Sequence, residues 1–224
     1  MPNIILTTVG TSIIENFLLE NKQHRLFYER EIEFKEINDG YPQEIDTFRK
    51  MLTENAKREY PSLAASQATY GKRLSAEIIT LHIMKQNDII NPEDDRVILF
   101  FSDTLEGQIS ADENEEILKE KAGFRFLDKK KLLRVKGNDA KSFTDAVNDG
   151  SIVDIFLQEM NTTYTPMICF SGGYKGLLPV LSNLAKKNEV NMYYLFEKSE
   201  HIVEYNYSDS TKAQARNITP RGIF

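Results

Sequence analysis

The stretch Pro166-Met167-Ile168-Cys169-Phe170-Ser171-Gly172-Gly173-Tyr174-Lys175-Gly176-Leu177-Leu178-Pro179 decides how the chain folds. Residues 166–170 read as a short apolar strand, and Leu177, Leu178, Leu181 and Leu184 then recur at helical spacing. Between them lies a glycine-rich turn with one lysine. A strand–loop–helix turn of this kind can aim backbone N–H groups and the positive end of a helix dipole at an anion. Its glycines let the backbone approach a ligand closely, and Lys175 adds a full charge. The stretch supports two readings: a site for a phosphate-bearing ligand, or a plain βα turn with a solvated lysine. Its spacing is neither that of a Walker A loop nor GxGxxG.

Two other strands end the same way. Asn3 to Val9 is β-rich and runs into Gly10-Thr11-Ser12, with Asn16 close behind. The hydroxyls of Thr11 and Ser12 either face a ligand or cap a helix. Arg96 to Ser102 is apolar enough to be central and buried on both faces, and it ends in Ser102-Asp103-Thr104. In an open parallel sheet, loops at the carboxyl ends of strands converge on one crevice. The expected fold is therefore α/β: a Rossmann-like, doubly wound, mostly parallel sheet. Asn191 to Phe196, a Lys198-Ser199-Glu200 link and the alternating 201–207 segment add a C-terminal β-hairpin.

The remaining segments are less sharply marked. Ile45, Phe48 and Leu52 have helical spacing after Pro42, and Tyr60-Pro61 closes that helix. Residues 62–86 favour helix, with Leu74, Ile78, Leu81 and His82 on one face, His82 reading as a half-buried structural histidine. Ser110-Ala111-Asp112-Glu113 has the form of a capping box opening a helix that runs to Lys121. Residues 124–127 and 132–135 are weak strand candidates. Phe143 to Leu157 is helical with a break at Gly150. Residues 208–224 are polar and aperiodic, so the expected organisation is one domain over 1–207 and a C-terminal tail.

Composition limits the function. The 224 residues carry a net charge of −6, which disfavours broad binding to DNA but not a small anion in a local pocket. Cys169 is the only cysteine, so no internal disulfide forms, C-x-x-C metal sites are excluded, and a reducing cytoplasm is expected. No signal sequence or membrane span is expected. No histidine or carboxylate cluster flanks the three loops, so neither a metal nor a cofactor is expected.

Thr7-Thr8-Val9-Gly10-Thr11-Ser12, Ser102-Asp103-Thr104-Leu105-Glu106-Gly107, Ser171-Gly172-Gly173-Tyr174-Lys175-Gly176 and Tyr193-Tyr194-Leu195-Phe196-Glu197 occur in the order seen in CRISPR-associated Rossmann fold (CARF) domains. The chain resembles that family over residues 3 to about 207. The resemblance implies a homodimer and a cyclic oligoadenylate ligand, with cyclic tetra-adenylate the expected ring. Ser12 and Lys175 match the positions that bind and open the ring in related ring nucleases. Gly10, Thr11, Asn16, Ser102, Asp103, Thr104, Ser171, Gly172, Gly173, Tyr174 and Gly176 would be ligand contacts. Ser171 stands where many relatives have threonine, a minor change for a hydroxyl contact.

Many relatives fuse this domain to an effector, but none of His24, His82 or His201 has the preceding arginine of a HEPN ribonuclease. A ring nuclease and a non-catalytic sensor therefore both remain open. A generic nucleotide-binding Rossmann protein is weakened by the missing GxGxxG and its acidic partner.

Overall fold

Strand β1, Asn3–Thr8, is buried on both faces, and its alternation sorts the core. Ile5 joins one hydrophobic cluster, while Ile4 and Leu6 join the other. Strand β2, Arg96–Ser102, repeats the pattern, with Val97 and Leu99 on the first side and Ile98 and Phe100 on the second. Side chains two apart share a sheet face, so two strands with buried apolar side chains on both faces demand helices on both sides. The computed structural model describes residues 1–36, 41–61, 74–136, 138–195, 201–207 and 214–218.

The first side is covered by α1 (Ser12–Glu20), α3 (Gln43–Glu59), α4 (Ala76–Gln86) and α5 (Leu105–Ile117), with the short α2 (Arg25–Glu31) between α1 and α3. The second is covered by α6 (Ala140–Asn148), α7 (Ser151–Met160) and α8 (Leu177–Lys187), where Phe156 stacks on Phe100 at 4.1 Å. The other strands are β3 (Phe126–Leu132), β4 (Thr165–Cys169), β5 (Asn191–Leu195), β6 (Ile202–Asn206) and β7 (Gln214–Ile218). The sheet order is β3-β2-β1-β4-β5-β6-β7, parallel through β5 and antiparallel for β6 and β7. This is the expected Rossmann-like, doubly wound architecture with antiparallel C-terminal strands. Crossovers leave β1 on one side and β4 on the other, so the strand order reverses between these two neighbours. That switch point is where open α/β sheets hold ligands.

Several expectations need correction. The Ser110–Glu113 box does not open a helix: α5 begins six residues earlier, where the Thr104 hydroxyl accepts the Gly107 N–H at 3.2 Å. Ser110 and Glu113 are buried mid-helix, and Glu113 binds Arg49 and Thr53 of α3. A π-helical turn, Leu118–Ala122, then ends the helix at Gly123 with φ 83°. The two weak strands around residue 130 are one strand, β3. The tail residues 214–218 are β7, paired with β6. Helix α4 starts at Ala76, capped by the Ser75 hydroxyl, so Leu74 precedes it; residues 62–73 and the Lys198–Glu200 link lie outside the described residues. His82 is buried against the edge of Tyr60, and burial holds its imidazole below the usual range. No helix among the described residues is long and apolar enough to cross a membrane.

Candidate functional site

At the switch point the loops after β1 and β4 touch through their glycines. A Cβ on Gly10 would lie 2.5 Å from the Gly173 backbone nitrogen, and Gly173 adopts φ 94°, a conformation that favours glycine. The Thr8 hydroxyl donates to the Gly172 carbonyl at 2.6 Å, closing the junction. The first and last of the expected loops are thus in contact, with Ser12 two residues after Gly10 and the exposed Lys175 two residues after Gly173.

Both loops rest on the first turns of α4. Ser12 Oγ accepts the Ala76 N–H at 3.3 Å, which leaves its own O–H to donate elsewhere. Asn16 Nδ2 donates to the Leu74 carbonyl at 2.8 Å, so its amide orders the approach to α4. Thr80 Oγ1 donates to Ser171 Oγ at 2.6 Å, turning Ser171 toward the helix. Thr11 occupies the N-cap position of α1 without a side-chain cap bond. The amino termini of α1, α4 and α8 therefore all lie at this junction, each adding positive potential.

Tyr174 packs its ring edge-on to Phe143 of α6 at 4.6 Å, and Gly176 fits against both rings, 2.6 Å from Tyr174 at its would-be Cβ. Packing therefore accounts for Gly176 without a ligand. The third loop is bonded toward β3. Ser102 and Thr104 share a hydroxyl contact of 2.9 Å, and Thr104 is buried as the α5 cap. Asp103 accepts the Arg134 N–H at 3.2 Å and pairs with Lys131 at 3.4 Å.

One residue of the site escaped the sequence reading. Glu77, in the first turn of α4, is fully buried and accepts the Gly10 N–H at 2.7 Å. Burial pushes its carboxyl up to about 7, against the lowering effect of the Gly10 N–H. Its burial, though not its partner, had a sequence signal: Glu77 leads the mostly apolar run Ile78 to Met84, which leaves little polar face, and residues 77 to 84 are all buried. Cys169, at the end of β4, is buried with its thiol pushed up to about 12, the wrong state for a nucleophile. No group of three or more metal-ligating side chains occurs among the described residues. A cleft of about 1060 Å³ lined by Asn3, Lys85, Asp88 and Arg125 lies at the opposite, amino end of the strands, away from the switch point.

Residues 72–205, more than half the chain, match the family described as CRISPR-associated protein (Cas_APE2256). The chain belongs to this family. The Cas_APE2256 match takes in α4, β2 and the whole β4–α8 turn, so it covers Glu77, Asp103 and Lys175 but not Ser12. Residues 17–113 also match a Dictyostelium STAT coiled-coil family, over less than half the chain. That segment contains β2, a buried central strand, so a coiled coil does not describe it. No curated protein matches the chain.

Proposed function

We propose that this CRISPR-associated protein is a CARF-type ring nuclease. In this reading it binds a cyclic oligoadenylate, cyclic tetra-adenylate in the first instance, across a homodimer and opens it without a metal. The observation that carries the reading is the packing of Gly10 on Gly173 at the β1–β4 switch point, with Ser12 and Lys175 flanking the junction. Converging helix amino termini and a lysine suit phosphates within a chain whose net charge of −6 would otherwise repel them.

The chemistry asks little of the protein. A ribose 2′-oxygen attacks the adjacent phosphorus, the bond to the 5′-oxygen breaks, and a 2′,3′-cyclic phosphate forms. The proton leaves the 2′-hydroxyl for solvent, and the departing 5′-oxygen takes one up, so no water is consumed. Cutting twice gives two linear di-adenylates. Lys175 stabilises the charge on the phosphorane, and the Ser12 O–H, held by Ala76, aligns the phosphate or ribose. Without a histidine base the rate forgoes roughly 10² to 10⁴-fold, so turnover is slow.

A four-phosphate ring fits a two-fold axis that presents each loop twice. Calorimetric titration with cyclic tetra-adenylate is expected to give one ring per two chains, and light scattering a dimer. One ring per monomer, or no binding, would contradict the reading.

A further inference from the structure

The carboxyl of Glu77 fills the space between the two glycine loops. Its Oε1 takes the Gly10 N–H at 2.7 Å, and a Cβ on Gly172 would fall 1.8 Å from that same oxygen. Its Oε2 is buried and has no hydrogen-bond partner among the described residues. The groups acting on it come from three elements: the Ser75 hydroxyl and its own N–H on α4, the Gly10 N–H after β1, and the Cys169 thiol of β4. Among the described residues, none of the groups that shift it is a cation.

We propose that Glu77 is a positioning residue of the ligand site: its buried carboxyl, wedged between Gly10 and Gly172, holds the β1 and β4 loops in the arrangement that accepts phosphate, and an anionic ring bound there draws a proton onto it. The inference rests on the cyclic oligoadenylate reading above. A buried carboxyl with no cation beside it among the described residues resists ionisation, and the α4 dipole, which favours the anion at this position, does not overcome burial. A phosphate over the Gly10–Gly172 junction adds a second negative charge beside it and shifts the balance further toward the acid. By reciprocity, whatever the ligand does to the proton, the proton does to the ligand. Affinity therefore falls as pH rises through the range where the free protein loses this proton.

Two measurements test this, one of which needs no ligand. In denaturant melts of the free protein, the wild type loses stability as pH rises from 5.5 to 8. The sign follows from a carboxyl raised in the fold to about 7, whose contribution is present below the unfolded value and lost as pH passes the folded one. Glu77→Gln keeps an acceptor for Gly10 and a donor on the other atom, and it should lose this component of the slope. Equal slopes in the two proteins would overturn the proposal whatever the ligand is. In calorimetry with cyclic tetra-adenylate at pH 7, in buffers of different ionisation enthalpy, the wild type takes up a fraction of a proton and Glu77→Gln takes up none. Wild-type affinity drops about fivefold to tenfold between pH 6 and 8, as expected for a bound-state shift of about one pKa unit or more. Binding with the same proton uptake in both proteins sinks the Glu77 proposal alone, whereas no binding by the wild type sinks the cyclic oligoadenylate reading and the ligand link with it. If Glu77→Gln does not fold, a wild-type affinity that is flat across this range overturns the proposal.

Discussion

Lys175→Ala is expected to abolish ring opening and to weaken binding of cyclic tetra-adenylate by about 2 kcal/mol per site, roughly a thirtyfold loss. Lys175 is exposed and sits immediately before Gly176, the N-cap of α8. A cation at that end opposes the helix dipole, so helix stability does not account for a lysine there. In the proposed reading, a phosphate there would be attracted by both the dipole and the ammonium. Ser12→Ala should slow cutting strongly while sparing the fold, because the bond it loses, to Ala76 N–H, is worth only about 0.5 to 1.5 kcal/mol. Asp103→Ala should weaken binding less than Lys175→Ala, since Asp103 already serves Arg134 and Lys131 and a carboxylate suits a ribose or adenine donor rather than phosphate. Calorimetry and product chromatography on the three variants check the order. Full activity in both Lys175→Ala and Ser12→Ala would end the mechanism.

The second large effect is on Gly10. An alanine there places Cβ 2.5 Å from Gly173 N, 3.3 Å from its Cα and 3.4 Å from the Gly172 carbonyl carbon, all backbone atoms. Relief requires the two loops to part, which also breaks the Gly10–Glu77 bond. Overpacking of this kind costs about 1 to 3 kcal/mol, and for a chain of this size each kcal/mol lowers Tm by about 2 to 4 °C. Ligand binding should be lost with the junction. Gly150→Ala is the control: its φ of 79° strains an alanine, but nothing lies within 4 Å of the new Cβ. It should lower Tm without changing affinity. Equal ligand affinity in Gly10→Ala and the wild type, by calorimetry, would mean the ligand sits elsewhere.

The sheet was legible where burial dominated local chemistry. β1, β2, β4 and β5 are short apolar runs that end in turn residues, and their reading survives because a strand buried on both faces leaves little choice of side chain. β3 was obscured by Lys129-Lys130-Lys131, which break any apolar run. On an edge strand these lysines are the expected guard, and they reach carboxylates on three elements: Asp112 on α5, Glu159 on α7, and Asp103. β7 was invisible for a similar reason, since four of its five residues are exposed and its pairing with β6 is set by main-chain bonds. The Ser110–Glu113 pattern misled because a capping box and a buried polar pair look alike in sequence. Only the presence of Arg49 on the neighbouring α3 tells them apart.

At the site, glycines and hydroxyls revealed the β1 and β4 loops, because strand–loop–helix turns carry a local signature. Their contact with each other and with Glu77 beneath them joins positions 164 and 67 residues apart and has no local sign.

Incubation of purified protein with cyclic tetra-adenylate in EDTA, followed by chromatography of the products, tests the central claim most directly. The expected result is slow conversion to linear di-adenylates ending in a 2′,3′-cyclic phosphate, at a rate unchanged by EDTA and absent in Lys175→Ala. A ring that binds and stays intact would make the same residues the contacts of a sensor, and activity abolished by EDTA and restored by a divalent ion would contradict the metal-independent chemistry.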